Sequence, residues 1–172
     1  IVISTDDRKI IKQSRNISKL ITLKRSNKLS HEKSKTKDVI LDLFNKKIFD
    51  FDIICLLQPT SPLRSYKDID GSIERMLKHN AKALVSINFS NSYRKWPVKI
   101  SKNLLSSFKK ENNLKAGYQL NGAIYLSYVN FFKKKKTFFT NQTLTYIMPK
   151  SRSVDVDTRE DLDLCKEILK KR

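Results

Sequence analysis

The chain has 172 residues, of which 39% are hydrophobic and 31% charged. That length can bury one core without disulfide staples, and the composition lies outside the disordered range. The longest strongly apolar run, residues 53–57, is far short of the roughly 20 residues a membrane helix needs, so no span is expected. Three dispersed glycines, Gly71, Gly117 and Gly122, leave no P-loop and no GxGxxG loop. Lys and Arg number 36 against 17 Asp and Glu, a net charge of +19. The lysines are spread along the whole length, so the charge reads as solvated surface, and nucleic acid is not expected as a partner. The one dense run, Lys133 to Lys136, reads as an exposed turn. Cys55 and Cys165 read as small buried hydrophobes. With only His31 and His79 besides, they cannot make a structural zinc site of usual spacing. A reducing, cytoplasmic setting fits this cysteine usage.

In chain order, Ile1-Val2-Ile3 reads as a buried strand without a preceding turn or cap. The first residue is Ile rather than Met, so sequence is expected to be missing before it. Ser4 to Asp7 supplies helix-start chemistry for a short helix over residues 8–15. Residues 20–23 read as a strand, 25–35 as a polar loop and 36–47 as a helix. Residues 52–57 form a continuous apolar run, the pattern of a strand covered on both faces. Two prolines mark residues 58–64 as a loop. Ser65 caps a helix to about His79, with Ile69, Ile73, Met76 and Leu77 expected inward. Residues 82–87 are another buried strand, 88–117 an irregular insertion, 118–126 a strand, 131–141 a short helix and turn, and 143–148 a strand. A last helix through Leu169 is capped by Thr158, with Asp161 in a capping-box position. Strands alternating with helices predict a single α/β domain over residues 1–172 with a mostly parallel central sheet.

Ligands of open α/β sheets bind beyond the carboxyl ends of the strands, and two segments fall there. The first is Gln58-Pro59-Thr60-Ser61-Pro62-Leu63-Arg64. Prolines stiffen it. Gln58, Thr60, Ser61 and Arg64 can present polar groups, and an amide suits a nucleobase edge. The same residues also suit an ordinary proline-stiffened turn. The second is Ser153-Val154-Asp155-Val156-Asp157. In extended chain, residues i and i+2 share a face, so Asp155 and Asp157 either hold a hard cation such as magnesium together with phosphate oxygens or form an acidic cluster at the N-terminus of the last helix.

In this order, Ser4 to Asp7, the polar stretch 25–36, residues 56–64, Asn121-Gly122-Ala123-Ile124-Tyr125 and Ser153 to Thr158 resemble the acylneuraminate cytidylyltransferases. The resemblance implies a three-layer, Rossmann-like nucleotidyltransferase fold. It also implies transfer of CMP from CTP to the anomeric hydroxyl of a nine-carbon 2-keto acid sugar, an N-acylneuraminate or a legionaminate-like one, with release of pyrophosphate. Carried over by position, it implies nucleotide binding by Arg25, Thr36, Gln58, Thr60 and Ser61, acceptor binding by Lys99, Asn121, Tyr125, Phe138 and Phe139, and Mg2+ ligation by Asp155 and Asp157. Phe138 and Phe139 equally suit plain core packing. The insertion at 88–117 corresponds to the family's dimerisation region, which implies a homodimer. Two departures stand out. Gln119 occupies a position where many relatives carry Arg, which removes a fixed positive charge near an anionic acceptor. The family's opening glycine-rich basic loop has no counterpart in these 172 residues, so the chain by itself is expected to be inactive or very weak. The rival readings are a sister enzyme for another keto-sugar acid, a basic nucleic-acid-binding module and a non-catalytic remnant that only dimerises.

Overall fold

The computed structural model describes residues 1–46, 50–91, 96–107 and 116–171. The 172 residues form two compact units, Ile1–Asp50 and Phe51–Arg172.

In the first unit, β1 (Val2–Thr5) runs parallel to β2 (Ile21–Lys24), connected by α1 (Arg8–Ser14). Asp7 caps α1, its carboxylate accepting from the N–H groups of Lys9 and Ile10 at 2.6 and 3.2 Å, which satisfies two of the helix's free donors. A 3-10 turn (Asn27–Leu29) and α2 (Thr36–Asn45) follow, and Ile40 is buried. The opening strand is not the buried one its apolar sequence predicted. Ile1 is 87% exposed and Val2 37%, because β1 lies in a two-stranded sheet with β2 as its neighbour among the described residues.

The second unit holds a six-stranded sheet of order β3-β7-β4-β8-β6-β5 among the described residues. Its elements are β3 (Ile53–Leu56), α3 (Tyr66–Lys78), β4 (Ala83–Ser90), β5 (Lys99–Ser101), β6 (Leu104–Ser107), β7 (Gly117–Tyr128), α4 (Val129–Lys135), β8 (Leu144–Ile147), a 3-10 turn (Lys150–Arg152) and α5 (Arg159–Lys170). The α/β class holds, but the sheet is mixed rather than mostly parallel. β4 and β8 are parallel, whereas β7 runs antiparallel to both β3 and β4, and β6 is antiparallel to β5 and β8. Apolar runs mark where strands are. Their direction follows from β7 inserting between β3 and β4, a long-range pairing no local pattern encodes.

The core lies where α3 packs on the sheet: Met76, Leu84, Ala123, Ile124, Leu126, Leu144 and Met148 are each 3% exposed or less. β4 is buried at seven of its eight positions. β3, an edge strand, is half-buried throughout rather than covered on both faces, and Cys55 with it. Cys165 is buried as expected. On α3, Ile69, Ile73 and Met76 face the core, but Leu77 is 47% exposed. The buried face instead includes Asp68 and Ser72, at 1% and 0% exposure, and Asp68 is ion-paired there with Arg152. The predicted insertion contains the β5–β6 hairpin; residues 92–95 and 108–115 of it lie outside the described residues. Lys133 to Lys136 are exposed at the end of α4, where Lys136 takes the left-handed conformation (φ +53°) that closes the helix.

Candidate functional site

The loop after β3 is held from inside. The Arg64 guanidinium donates through Nη1 to the carbonyl oxygens of Gln58, Ser61 and Ala123 at 2.8, 3.0 and 3.1 Å. The Nη1 donors of Arg64, which its loop position suggested for a ligand, are therefore used within the protein. Arg64 pins the loop to β7. Leu63 is fully buried beneath it. Behind the loop, burial pushes the Cys55 thiol up to about 11 although the Arg64 charge pulls the other way, so Cys55 is no nucleophile near neutrality.

On β7 the pairing with β4 slips. Val85 lies opposite Tyr125, but Ile87 lies opposite Leu120, so residues 121–124 bulge out. Ser86, 1% exposed, closes the gap: its Oγ accepts the Ile124 N–H at 2.8 Å and donates to Asn121 Oδ1 at 2.6 Å. Asn121 Oδ1 also accepts the Ala123 N–H at 3.2 Å, and its Nδ2 donates to Ser153 Oγ at 3.0 Å and Met148 Sδ at 3.4 Å. All four of the amide's hydrogen-bonding capacities are thus used within the protein. The Asn121 amide, expected at the ligand, is engaged within the protein in this structure.

The bulge carries Gly122 at φ +73° into the centre of the site. A Cβ there would lie 2.9 Å from Gln58 Oε1, 3.6 Å from Ser61 Oγ and 3.9 Å from Asp155 Cγ. Three segments far apart in sequence therefore meet over one glycine. The loop and the acidic segment also bond directly, the Val156 N–H donating to Thr60 O at 2.8 Å. Ser61, fully buried, donates to Asn121 O at 3.4 Å.

The acidic segment forms no paired strand. Asp155 Oδ1 is buried and has no hydrogen-bond partner, whereas Asp157 is exposed. The cap of α5 comes from elsewhere. Thr158 and Asp161 form the capping box, and Asp161 Oδ2 also accepts the Asp157 N–H at 3.1 Å. Helix capping therefore leaves Asp155 unused.

Tyr125 forms the aromatic side of the site. Its OH donates to Gln58 Oε1 at 3.4 Å. Burial, and then the negative charge of Asp155, push its hydroxyl up to about 12, so it stays a neutral donor at physiological pH. Phe138 and Phe139 flank it at ring-centroid distances of 5.5 and 5.9 Å. Phe138 is 6% exposed and packs on Phe132 at 4.7 Å, which makes it core backing, while Phe139 is half-buried.

Of the other expected site residues, Arg25 and Thr36 belong to the first unit. Arg25 bonds Ser4 through its guanidinium, Nε to Ser4 Oγ at 3.3 Å and Nη2 to Ser4 O. Thr36 is exposed at the first position of α2. Lys99 is exposed at the start of β5, next to Val98, whose N–H donates to Tyr118 O at 3.0 Å.

The assembled side chains offer an amide, a neutral phenol and an unpartnered carboxylate oxygen around a backbone with no side chain of its own. Among the described residues, no three His, Cys, Asp or Glu side chains group as a complete metal cage. The buried, unpartnered Oδ1 of Asp155 is a hard oxygen donor of the kind magnesium takes alongside phosphate oxygens and water. Sequence reasoning missed Ser86 and the inward role of Arg64. An isolated glycine inside a strand pattern was the available signal for the bulge.

No family model matches the chain. It is 31% identical over 144 residues to N-acylneuraminate cytidylyltransferase of Streptococcus agalactiae serotype V, an alignment covering 80% of this chain and 35% of that protein. It is 32% identical over 134 residues to N-acylneuraminate cytidylyltransferase of Escherichia coli O18:K1:H7, covering 72% and 31%. It is 28% identical over 183 residues to CMP-N,N'-diacetyllegionaminic acid synthase of Legionella pneumophila, covering 98% and 77%. The chain thus spans about a third of the length of the streptococcal and E. coli relatives and about three quarters of the Legionella one. Its fold is that of the solved CMP:2-keto-3-deoxy-manno-octonic acid synthetase complexed with CTP (TM-score 0.75, 13% identity, 99% of this chain and 80% of that one). It is also that of HddC from Yersinia pseudotuberculosis (TM-score 0.71, 15% identity, 100% and 78%). The chain is thus similar to cytidylyltransferases of acylneuraminate and diacetyllegionaminate at 28–32% identity over most of its length, and three of the segments on which the sequence resemblance rests meet at Gly122.

Proposed function

We propose that this chain carries the sugar- and nucleotide-handling site of a cytidylyltransferase, which joins CMP from CTP to the anomeric hydroxyl of a nine-carbon 2-keto acid sugar, N-acylneuraminate or a legionaminate-like one, and releases pyrophosphate. One observation carries the reading: Gln58, Ser61 and Asp155 converge on Gly122, whose missing side chain lets the three polar groups come together. The printed activities of the relatives from Streptococcus, E. coli and Legionella support it.

In this reading the acceptor hydroxyl attacks the α-phosphorus in line with departing pyrophosphate, and the protein contributes mainly positioning and charge neutralisation. The Gln58 amide orients a polar edge of the ligand, held in its rotamer by Tyr125. Tyr125, kept neutral, adds no negative charge beside an anionic substrate. Phe139 and Tyr125 form the apolar wall for the sugar's carbon face. Magnesium held by Asp155 and Asp157 would neutralise phosphate charge. Arg25 and Thr36 serve the nucleotide and Lys99 the acceptor. The reading includes a homodimer formed through residues 88–117 and a cytoplasmic location, consistent with the free thiols of Cys55 and Cys165.

The test is CMP-sugar formation by the full gene product, with CTP, Mg2+ and a panel of N-acetylneuraminate, a legionaminate and an eight-carbon 2-keto acid. Product with a nine-carbon acid, and loss of at least a hundredfold in turnover for Asp155→Asn, are expected. Product only with the eight-carbon acid, no product with any acceptor, or an Asp155→Asn variant as active as wild type, overturns the reading.

A further inference from the structure

Asp68 lies at the third position of α3 and is 1% exposed. Its Oδ2 accepts from the Ser65 N–H at 2.9 Å, from Ser65 Oγ at 2.8 Å and from Arg152 Nε at 2.7 Å, while Oδ1 accepts from Arg152 Nη2 at 2.8 Å. This is a two-pronged Arg–carboxylate pair, the geometrically most demanding kind. Burial alone would raise the Asp68 carboxyl, but the bonds from Arg152 and Ser65 hold it below the ordinary range. One end of the brace is Ser65, the residue after Arg64, where the proline-framed loop enters α3. The other is Arg152, the residue before Ser153, where the acidic segment begins. The two segments come together again at the Val156–Thr60 bond. The brace therefore bridges the bases of the two segments whose tips carry Gln58 and Asp155.

We propose that the Asp68–Arg152 pair is a positioning device: it sets the seat of the 153–157 segment against the 58–64 loop, and through that seat the placement of the Asp155 carboxylate for a divalent cation. Neither residue touches the ligand. The proposal rests on the reading of Asp155 as a cation ligand, and its test separates the two. A pair that merely adds stability would, on weakening, loosen the whole unit. A positioning pair loosens one contact first.

The Val156 amide reports that contact directly, since its hydrogen is bonded to Thr60 O. Hydrogen exchange of Val156 is compared with that of Leu126, a fully buried residue of β7 paired with β3 and β4, in wild type, in Arg152→Lys, which keeps the charge but loses the fork, and in Asp68→Asn/Arg152→Gln, which leaves no lone buried charge. Mn2+ affinity is measured on the same proteins by water-proton relaxation with CTP present. In both brace variants Val156 exchange rises at least tenfold at unchanged Leu126 exchange, and Mn2+ affinity falls at least threefold. Val156 protection equal to wild type, equal acceleration of Val156 and Leu126, or unchanged Mn2+ affinity overturns the proposal. Asp155→Asn serves as the separate check. It keeps Val156 protected and abolishes Mn2+ binding. If Asp155→Asn binds Mn2+ normally, the cation reading fails and the brace's role in cation placement fails with it, whereas Val156 exchange alone still decides whether the brace seats the segment.

Discussion

Replacing Gly122 by alanine tests the geometry of the site most directly. The backbone there has φ +73°, and an added Cβ would stand 2.9 Å from Gln58 Oε1. The left-handed conformation costs an L-residue with a side chain about 1–2 kcal/mol. The close contact is with the far end of a flexible side chain, so Gln58 swings away rather than the backbone shifting. That movement breaks the 3.4 Å bond from Tyr125, a net loss of about 0.5–1 kcal/mol. Together the substitution destabilises by about 1.5–3 kcal/mol, and a chain of this length loses roughly 3–12 °C in Tm. Urea unfolding with an unchanged slope, read beside calorimetry, measures it. Gly122→Asn is the partner variant: Asn tolerates the left-handed region better but carries the same Cβ. It recovers part of the stability and none of the Gln58 placement. CTP binding by the full gene product falls in both variants. If Gly122→Ala melts within about 0.5 kcal/mol of wild type, the scale of an ordinary surface change, the bulge geometry argued above is wrong.

Two further outcomes follow from the same cluster. Ser86→Ala removes the hydroxyl that serves the Ile124 N–H and Asn121 Oδ1 inside the bulge, and leaving such buried groups unpaired costs about 1–3 kcal/mol; a denaturation midpoint equal to wild type would refute its role. Tyr125 is held above its ordinary 10.0, up to about 12. The folded pKa is raised, so the stability linked to it is complete below about pH 10 and is lost as pH rises through about 12. In metal-free buffer, ultraviolet titration should show a late-ionising tyrosine that vanishes in Tyr125→Phe and ionises earlier in Asp155→Asn; a late component unaffected by either change contradicts the assignment.

Much of this protein is legible in its sequence because the signals are local. Apolar runs marked β3, β4, β7 and β8. Ser65 as a cap, and Thr158 with Asp161 as a capping box, marked two helix starts, because capping is a short-range arrangement of side chain and backbone. The motifs of the site were also readable as strings. What the sequence did not contain was how those strings meet. The mixed order of the sheet, with β7 antiparallel between β3 and β4, arises from long-range pairings such as Cys55 and Leu84 with Leu126. The inward turn of Arg64, the saturation of Asn121 and the staple at Ser86 each depend on which backbone groups the register slip leaves unpaired, and a hydrogen-bonding side chain commits to whichever orphan lies within reach. Asp68 makes the same point on a helix. Arg152, from a segment 84 positions away, gives this buried carboxylate its ion-pair partner. Local chemistry determined the elements and the motifs that carry the resemblance; only long-range packing decided which polar groups are bonded within the frame and which are left unpartnered, as Asp155 Oδ1 is, because that choice is made by whatever neighbour completes each group's hydrogen bonds.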